Sequence, residues 1–445
     1  SFGRFDPTLG GFVATDTNVS WLVDGGPPSY PYADEPEPNG GRRNVGVYGN
    51  SSEASMGYTG EWVRALTASS GGRVGGTFFL TWLWGNLAAS NTVALDYSFD
   101  GGTNWVRIAS NQVLSTSRYL WDSTASGLAI SPIARWRLLV EANTNVADET
   151  DHPFALNGPF SFFVNDSATV GDVFTTAVGD DGNLGIYSNA PMATLANVLD
   201  SWDLEGGDAI YVDTGVYAIS TNQAVNLLSS DGGESGSPVH IRGSTNGVLL
   251  NWAESSSGAT LLNLVASHVQ VRNLGFNSGN LQANGSAIGI YAVTITGGTV
   301  RVGGSDNTVS NLTAIQSTVQ TLGTNLSLTR VAVQSGVFNL GGRYVNLLNS
   351  LAWGTSTQLM TVTGSGITLS NNTLISVGTV VALEGADASL KLRNNIMVAE
   401  GAGRFIVRRD SGALDSDYNN LLARNGAWFG RANGLWERLL YWQNA

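Results

Sequence analysis

The chain contains no cysteine, which excludes a disulfide framework, a thiolate nucleophile and a zinc–thiolate centre. Lysine is almost missing as well. Of 22 basic residues only Lys391 is a lysine, so positive charge sits on planar guanidinium groups suited to fixed contacts, although a genome-level codon bias is the simpler source of the imbalance. The three histidines, His152, His240 and His268, lie too far apart in sequence to suggest a metal motif. Charged residues make up 13% against 42% hydrophobic, and 11 prolines stand beside 56 glycines, which describes an ordered chain rich in tight turns. Neither a run of 18 apolar residues nor a basic-plus-apolar leader occurs in the sequence as written, so no membrane insertion is expected.

What is present is acidic and long. A net charge of −13 and a pI near 4.6 argue against nucleic acid or an anionic membrane as partner, because both are bound through basic patches. A neutral or cationic partner, or none, fits better. At 445 residues, two or more domains are the starting expectation.

Three compositional zones divide the chain. Residues 1–58 are acidic and turn-rich, with Asp24-Gly25-Gly26-Pro27-Pro28 and Asp34-Glu35-Pro36-Glu37-Pro38-Asn39-Gly40-Gly41 read as loops flanking short strands at Trp21-Leu22-Val23 and Asn44-Val45-Gly46-Val47-Tyr48. Residues 59–166 carry spaced strands without helical periodicity. These are Phe78–Trp82, Val93–Tyr97, Trp105–Ile108, Arg135–Val140 and Phe160–Val164, with Asp100-Gly101-Gly102 as the turn of a hairpin. An immunoglobulin-like β-sandwich is the expected fold there. Its tryptophans, Trp82, Trp84, Trp105, Trp121 and Trp136, are expected mostly in the core, since only exposed indoles would suggest sugar stacking.

The third zone, 167–445, repeats. An amphipathic helix is predicted over 193–202, with Leu195, Val198, Leu199 and Trp202 on one face, placed as a lid over a first coil. Beyond it, short apolar segments end in Asn273, Asn311, Arg330, Asn349, Asn371 and Asn394, at intervals of 38, 19, 19, 22 and 23 residues. The first interval is twice 19, as if a coil near Ile290-Tyr291-Ala292 lacks the marker. Such a period is that of a β-solenoid, and stacked asparagines are expected to bond in a ladder along its axis, with Arg330 interrupting the row where it opens to solvent. Leucine-rich repeats share this grammar, but their helical segments are missing.

Two stretches carry a resemblance. Phe174-Thr175-Thr176-Ala177-Val178-Gly179-Asp180-Asp181-Gly182-Asn183-Leu184-Gly185, with Gly206-Gly207-Asp208-Ala209-Ile210-Tyr211-Val212-Asp213-Thr214-Gly215-Val216-Tyr217, resembles the entry of pectate-lyase-like right-handed parallel β-helices in large bacterial surface proteins. Asp96–Trp105 is similar to a motif of the immunoglobulin- or fibronectin-like modules beside such helices. The resemblance implies an all-β fold: a right-handed parallel β-helix preceded by an immunoglobulin-like sandwich. Val23–Pro27 followed by Glu37–Asn50 resembles the way such β-helices finish, so 1–58 is expected to be a closing coil, while Leu439–Ala445 stops without one. The chain then reads as a permuted repeat whose N-terminal segment docks on the open C-terminal coil of another copy.

The expected role is an extracellular structural or adhesive surface module assembling head to tail, with polysaccharide as a further partner. The alternatives are a carbohydrate-active β-helix enzyme and a glycan-binding adhesin. A lyase or glycosidase needs clustered acids, and Asp213, Glu254, Asp306, Glu384, Asp387 and Asp410 are scattered, with Asp213 expected as a turn former. No catalytic, cofactor or metal residue is therefore assigned. His240 and Arg242 share one strand face, where they could act as base and electrostatic stabiliser. Asp180-Asp181-Gly182-Asn183 offers oxygen ligands for calcium but lacks EF-hand spacing, so a capped turn is expected and no cofactor.

Overall fold

The computed structural model describes residues 4–13, 20, 22–27, 29–57, 60–125, 130–220, 225–254, 258–432 and 435–437. The chain is nearly all-β and divides into two compact units, 1–158 and 159–445.

In the first unit, a three-stranded sheet (Trp62–Ala65, Thr77–Gly85, Arg118–Asp122) and a larger one, ordered Arg73–Val74, Phe154–Leu156, Ser131–Val140, Thr92–Ser98, Val106–Val113, carry one shared core. Alternation puts Leu80, Trp82, Leu95, Tyr97, Trp136 and Leu138 into it, all at most 1% exposed. Burial of each such side chain contributes about 1.5–3 kcal/mol. The hairpin predicted at Asp100-Gly101-Gly102 forms, with Gly101 at φ +72° and Gly102 at φ +103°.

The N-terminal segment departs from expectation. Leu22-Val23 and Asn44–Tyr48 are turns and bends, not strands, and two bonds link the segments: Val45 N–H to the Leu22 carbonyl and Gly26 N–H to that of Arg43. Trp21 lies outside the described residues. Buried side chains take the place of a ladder. Asn44 Oδ1 accepts from Asp24 N–H at 2.7 Å, and Glu35 Oε1 accepts from the N–H groups of Asn44 and Asn50 at 2.8 and 2.7 Å. Turn-forming residues bond locally, and that competes with strand pairing.

The second unit is a parallel β-helix. Three sheets carry eleven, ten and eleven strands; ten in each come one per coil and pair in parallel, the first sheet adding Ser161–Val164 at its start and the third adding the antiparallel Leu435–Glu437 at its end. The predicted strand at Phe160–Val164 belongs here, not to the sandwich: Ser161–Val164 pairs in parallel with Ala209–Val212 and opens the first sheet. In that sheet Ile241, Val271, Ile290, Val309, Leu328, Leu347, Leu369 and Leu392 stand in register, all at most 1% exposed. The helix spans Leu195–Ser201, capped by Thr194, whose Oγ1 accepts from Asn197 N–H at 3.2 Å. It packs on Ser161–Val164 and Val225–Leu227 of the first coil, burying Leu195 and Val198.

The marker column serves a different purpose from the one expected. Asn273, Ala292, Asn311, Arg330, Asn349, Asn371 and Asn394 all have φ between 51° and 56° or, for Asn371, 58°. They are the left-handed residues that turn the chain out of the first sheet, a conformation asparagine tolerates well. Their side chains form no common ladder. The ladder exists one residue later, inside the solenoid, and only in its last coils: Ser350 N–H and both Asn372 donors are met by Asn372 and Asn395 respectively, and Asn395 is met by Asn419. In earlier coils that inner position holds Leu274, Val293, Leu312 and Val331, all buried.

A glycine column marks another corner. A Cβ on Gly304, Gly323 or Gly342 would stand 2.0–2.1 Å from the carbonyl oxygen of Gly285, Gly304 or Gly323, one coil below. Only glycine lets the backbones approach this closely.

Candidate functional site

The outer face of the first sheet, over its early coils, gathers the polar residues that merit attention. Parallel register stacks Tyr211, Arg242, Arg272 and Tyr291 in one column and His240, Gln270 and Gly289 in the next but one. Their alternation with buried Ile210, Ile241, Val271 and Ile290 is what turns them outward. Tyr211 stacks on Phe163 with centroids 5.6 Å apart and meets Phe174 edge-on at 5.1 Å. Arg242 lies 5.9 Å from the Tyr211 ring centroid and Arg272 4.2 Å from that of Tyr291. Arg272 Nη2 donates to Gln270 Oε1 at 3.1 Å. A Cβ on Gly289 would fall 2.3 Å from Tyr291 Cε2, so glycine there gives the ring room to lie back along its strand.

His240 and Arg242 thus share the predicted face, and a second arginine that sequence reading passed over joins them. Burial, and then the charges of Arg242 and Arg272, hold the His240 imidazole below its ordinary pKa, favouring its neutral form.

The scattered acids do not converge. The buried Asp213 carboxylate accepts N–H groups from Val173, Phe174, Thr175 and Thr214 at 2.7–2.8 Å, and the Thr175 hydroxyl at 2.9 Å. Burial alone would raise its pKa, but these donors bring it below the usual carboxylate range. It ties the entry segment to the first coil, a long-range anchor 38–40 residues distant in sequence and not the local turn expected of it. Neighbouring Asp172 is raised by burial and, more weakly, by Asp213. Asp306 is a left-handed turn residue that accepts from Asn325 Nδ2. Glu384 and Asp410 do meet, but around Arg408, which pairs with both. Asp387 is exposed in a turn. Among the described residues no group of three or more His, Asp or Glu is placed to hold a metal.

Asp180 closes its own turn by accepting Gly182 N–H at 2.9 Å, while Asp181 Oδ1 accepts from Ala193 and Thr194 N–H and so braces the helix start. On the far side of the helix, a cavity of about 420 Å³ is lined by Leu199, Asp200, Trp202, Asp203 and Asp231. Burial, opposed by backbone N–H donors and reinforced by Asp203, raises the Asp231 pKa. In the sandwich, Trp82, Trp121 and Trp136 are core residues, whereas Trp84 and Trp105 are half-buried, Trp105 beneath Arg137 at 4.2 Å.

No family model, curated protein or solved structure matches the chain. Two further surfaces of the molecule stand out.

At the C-terminal end of the solenoid, Leu414 and Leu421 stack on Leu390 and Met397. Leu390 and Met397 are 2% and 0% exposed, but one coil later Leu414 and Leu421 are only half-buried. Among the described residues no strand pairs with the outer edges of Ala413–Asp417 and Asn420–Arg424. The third sheet differs from expectation: its last parallel strand, Trp428–Ala432, is paired antiparallel by Leu435–Glu437 of the same chain. One edge of three is therefore covered locally.

In the first unit, an apolar groove of about 370 Å³ is lined by Phe5, Leu22, Val23, Val45, Val47 and Tyr48. Leu22, Val45, Val47 and Tyr48 are 54%, 47%, 89% and 45% exposed, a concentration of apolar surface in a short segment.

Proposed function

We propose that the chain is a structural module of an extracellular surface or fibre protein, joined head to tail by its N-terminal segment seating on the solenoid end of another copy. The supporting observation is the half-exposure of Leu414 and Leu421, which continue columns fully buried one coil earlier. Two strand edges with apolar residues beneath them form a surface that favours covering by protein. The groove and exposed side chains of residues 22–48 offer apolar surface of matching character. A contact between unlike surfaces adds copies head to tail, which gives a filament wherever the rotation from copy to copy does not close into a ring. A pectate-lyase-like origin of the solenoid and an immunoglobulin-like origin of the sandwich belong to the same reading.

Sedimentation velocity and electron microscopy over a range of concentrations test it. Linear assemblies that grow with concentration are expected, and both Leu421→Asp and Val47→Asp should abolish them while leaving the circular dichroism of the monomer unchanged. Monomers at every concentration, or assemblies indifferent to both substitutions, would overturn the reading.

A further inference from the structure

The outer face built by Tyr211, His240, Arg242, Gln270, Arg272 and Tyr291 carries an arrangement that the fold alone does not need. Arg242 and Arg272 are direct register partners on adjacent parallel strands, so two like charges are stacked one sheet spacing apart. Like charges placed opposite each other disfavour the pairing they sit on. The other stacked arginine pair of the solenoid, Arg408 and Arg431, is answered on Arg408 by Glu384 and Asp410, and further along Asp415 answers Arg393 and Lys391 and Glu400 answers Arg424. Among the described residues neither Arg242 nor Arg272 has an ion-pair partner, in a chain of net charge −13. Arg242 Nε and His240 Nδ1 are moreover buried polar atoms without a hydrogen-bond partner.

We propose that this face binds an acidic, hydroxyl-rich small ligand, its oxyanion held by the Arg242 and Arg272 guanidinium groups and its hydroxyls by His240 and Gln270. Guanidinium forks bind planar oxyanions in two-point contacts, and the two here lie over aromatic rings, Arg272 at 4.2 Å from the Tyr291 centroid and Arg242 at 5.9 Å from that of Tyr211. A neutral imidazole offers one donor and one acceptor, and a side-chain amide offers both, which is the complement of a hydroxyl pair rather than of a second charge. The acidic remainder of the chain disfavours long polyanions such as nucleic acid. The column spans four strands, roughly 14 Å along the axis at the usual interstrand spacing, a length suited to one or a few linked rings.

The test is calorimetric titration of the full chain, at concentrations where it is monomeric, with glucuronate, glucose, acetate and inorganic phosphate. Because it uses the monomer, its outcome is separate from that of the assembly reading. Glucuronate is expected to bind, glucose not to bind detectably, and acetate and phosphate to bind at least tenfold more weakly. Arg272→Gln should weaken glucuronate at least tenfold and yet raise the melting temperature of the free protein, because it relieves the stacked charges. Loss of binding with a lowered melting temperature would point to misfolding, and Arg272→Lys, which keeps the charge, must then retain part of the affinity or the proposal fails. Glucuronate affinity unchanged in Arg272→Gln, no glucuronate binding at millimolar concentration, or equal affinity for acetate or phosphate would each overturn it.

Discussion

Asn395 Oδ1 accepts two hydrogen bonds from the asparagine one coil below, from the backbone N–H and the side-chain Nδ2 of Asn372, each at 3.0 Å. The Asn395 amide donates in turn to the Leu369 carbonyl and to Asn419 Oδ1, both at 2.9 Å. Both asparagines are 1% exposed, so this is a polar spine running inside an apolar solenoid. Its members are satisfied by one another and by backbone, which is the condition under which buried amides stabilise.

Removing one rung should therefore cost more than removing a marker. Asn395→Ala leaves the buried donors of Asn372 and the Leu369 carbonyl unmatched, at about 1–3 kcal/mol for each unmatched group, and a loss of about 3 kcal/mol is expected. Asn394→Gly, at φ +55° on the exposed side, should change stability by less than about 0.5 kcal/mol. Urea unfolding of both variants makes the comparison; equal losses would contradict the assignment of the ladder to the inner column.

Close stacking at the glycine corner is equally testable. Gly323→Ala puts a Cβ 2.1 Å from the Gly304 carbonyl oxygen, a backbone atom that cannot swing aside. A destabilisation of about 3 kcal/mol is expected from overpacking, read as a lowered urea midpoint. An unchanged midpoint would show that the coils are not this close.

Much of this was legible in the sequence. Spacings near 19 locate the solenoid, and the apolar segments that end at the markers supply its inward column. The asparagines were misassigned because one periodic pattern serves two physical causes, tolerance of left-handed φ and amide stacking, which only φ and register separate. The glycine corner is also written in the sequence, as glycines 19 apart at 285, 304, 323 and 342. Ser161–Val164 was not assignable locally: its alternation suits either unit, and its partner lies at Ala209–Val212, beyond a long entry segment. In the candidate face, His240-Ile241-Arg242 was readable, but Arg272 joins it through a 30-residue coil that breaks the shorter period. The N-terminal strands failed because Glu35 and Asn44 side chains satisfy backbone donors that a sheet would otherwise have paired.

The sandwich should show a pH signature of its own. Burial pushes the Asp148 carboxyl up to about 6, against the Ala65 N–H that donates to it at 2.8 Å and with a smaller contribution from Asp151. The folded unit thus holds a proton there that the unfolded chain releases near pH 4, so this group lowers stability as pH rises from about 4 to about 6 and by a constant amount above. Asp148→Asn keeps the acceptor and removes the penalty. A gain of about 1 kcal/mol above pH 6, discounted for the half-exposed position, should vanish below pH 4 in urea titrations of the two proteins. A gain independent of pH would contradict the assignment.

The assembly reading turns on whether the final coil is covered by a second copy, and backbone amide exchange in Ala413–Arg424 reports on that directly. Measured at low and at high protein concentration, exchange in this stretch should slow markedly as concentration rises, while amides of interior strands such as Leu326–Thr329 stay unchanged. Identical exchange of Ala413–Arg424 at both concentrations would contradict the account.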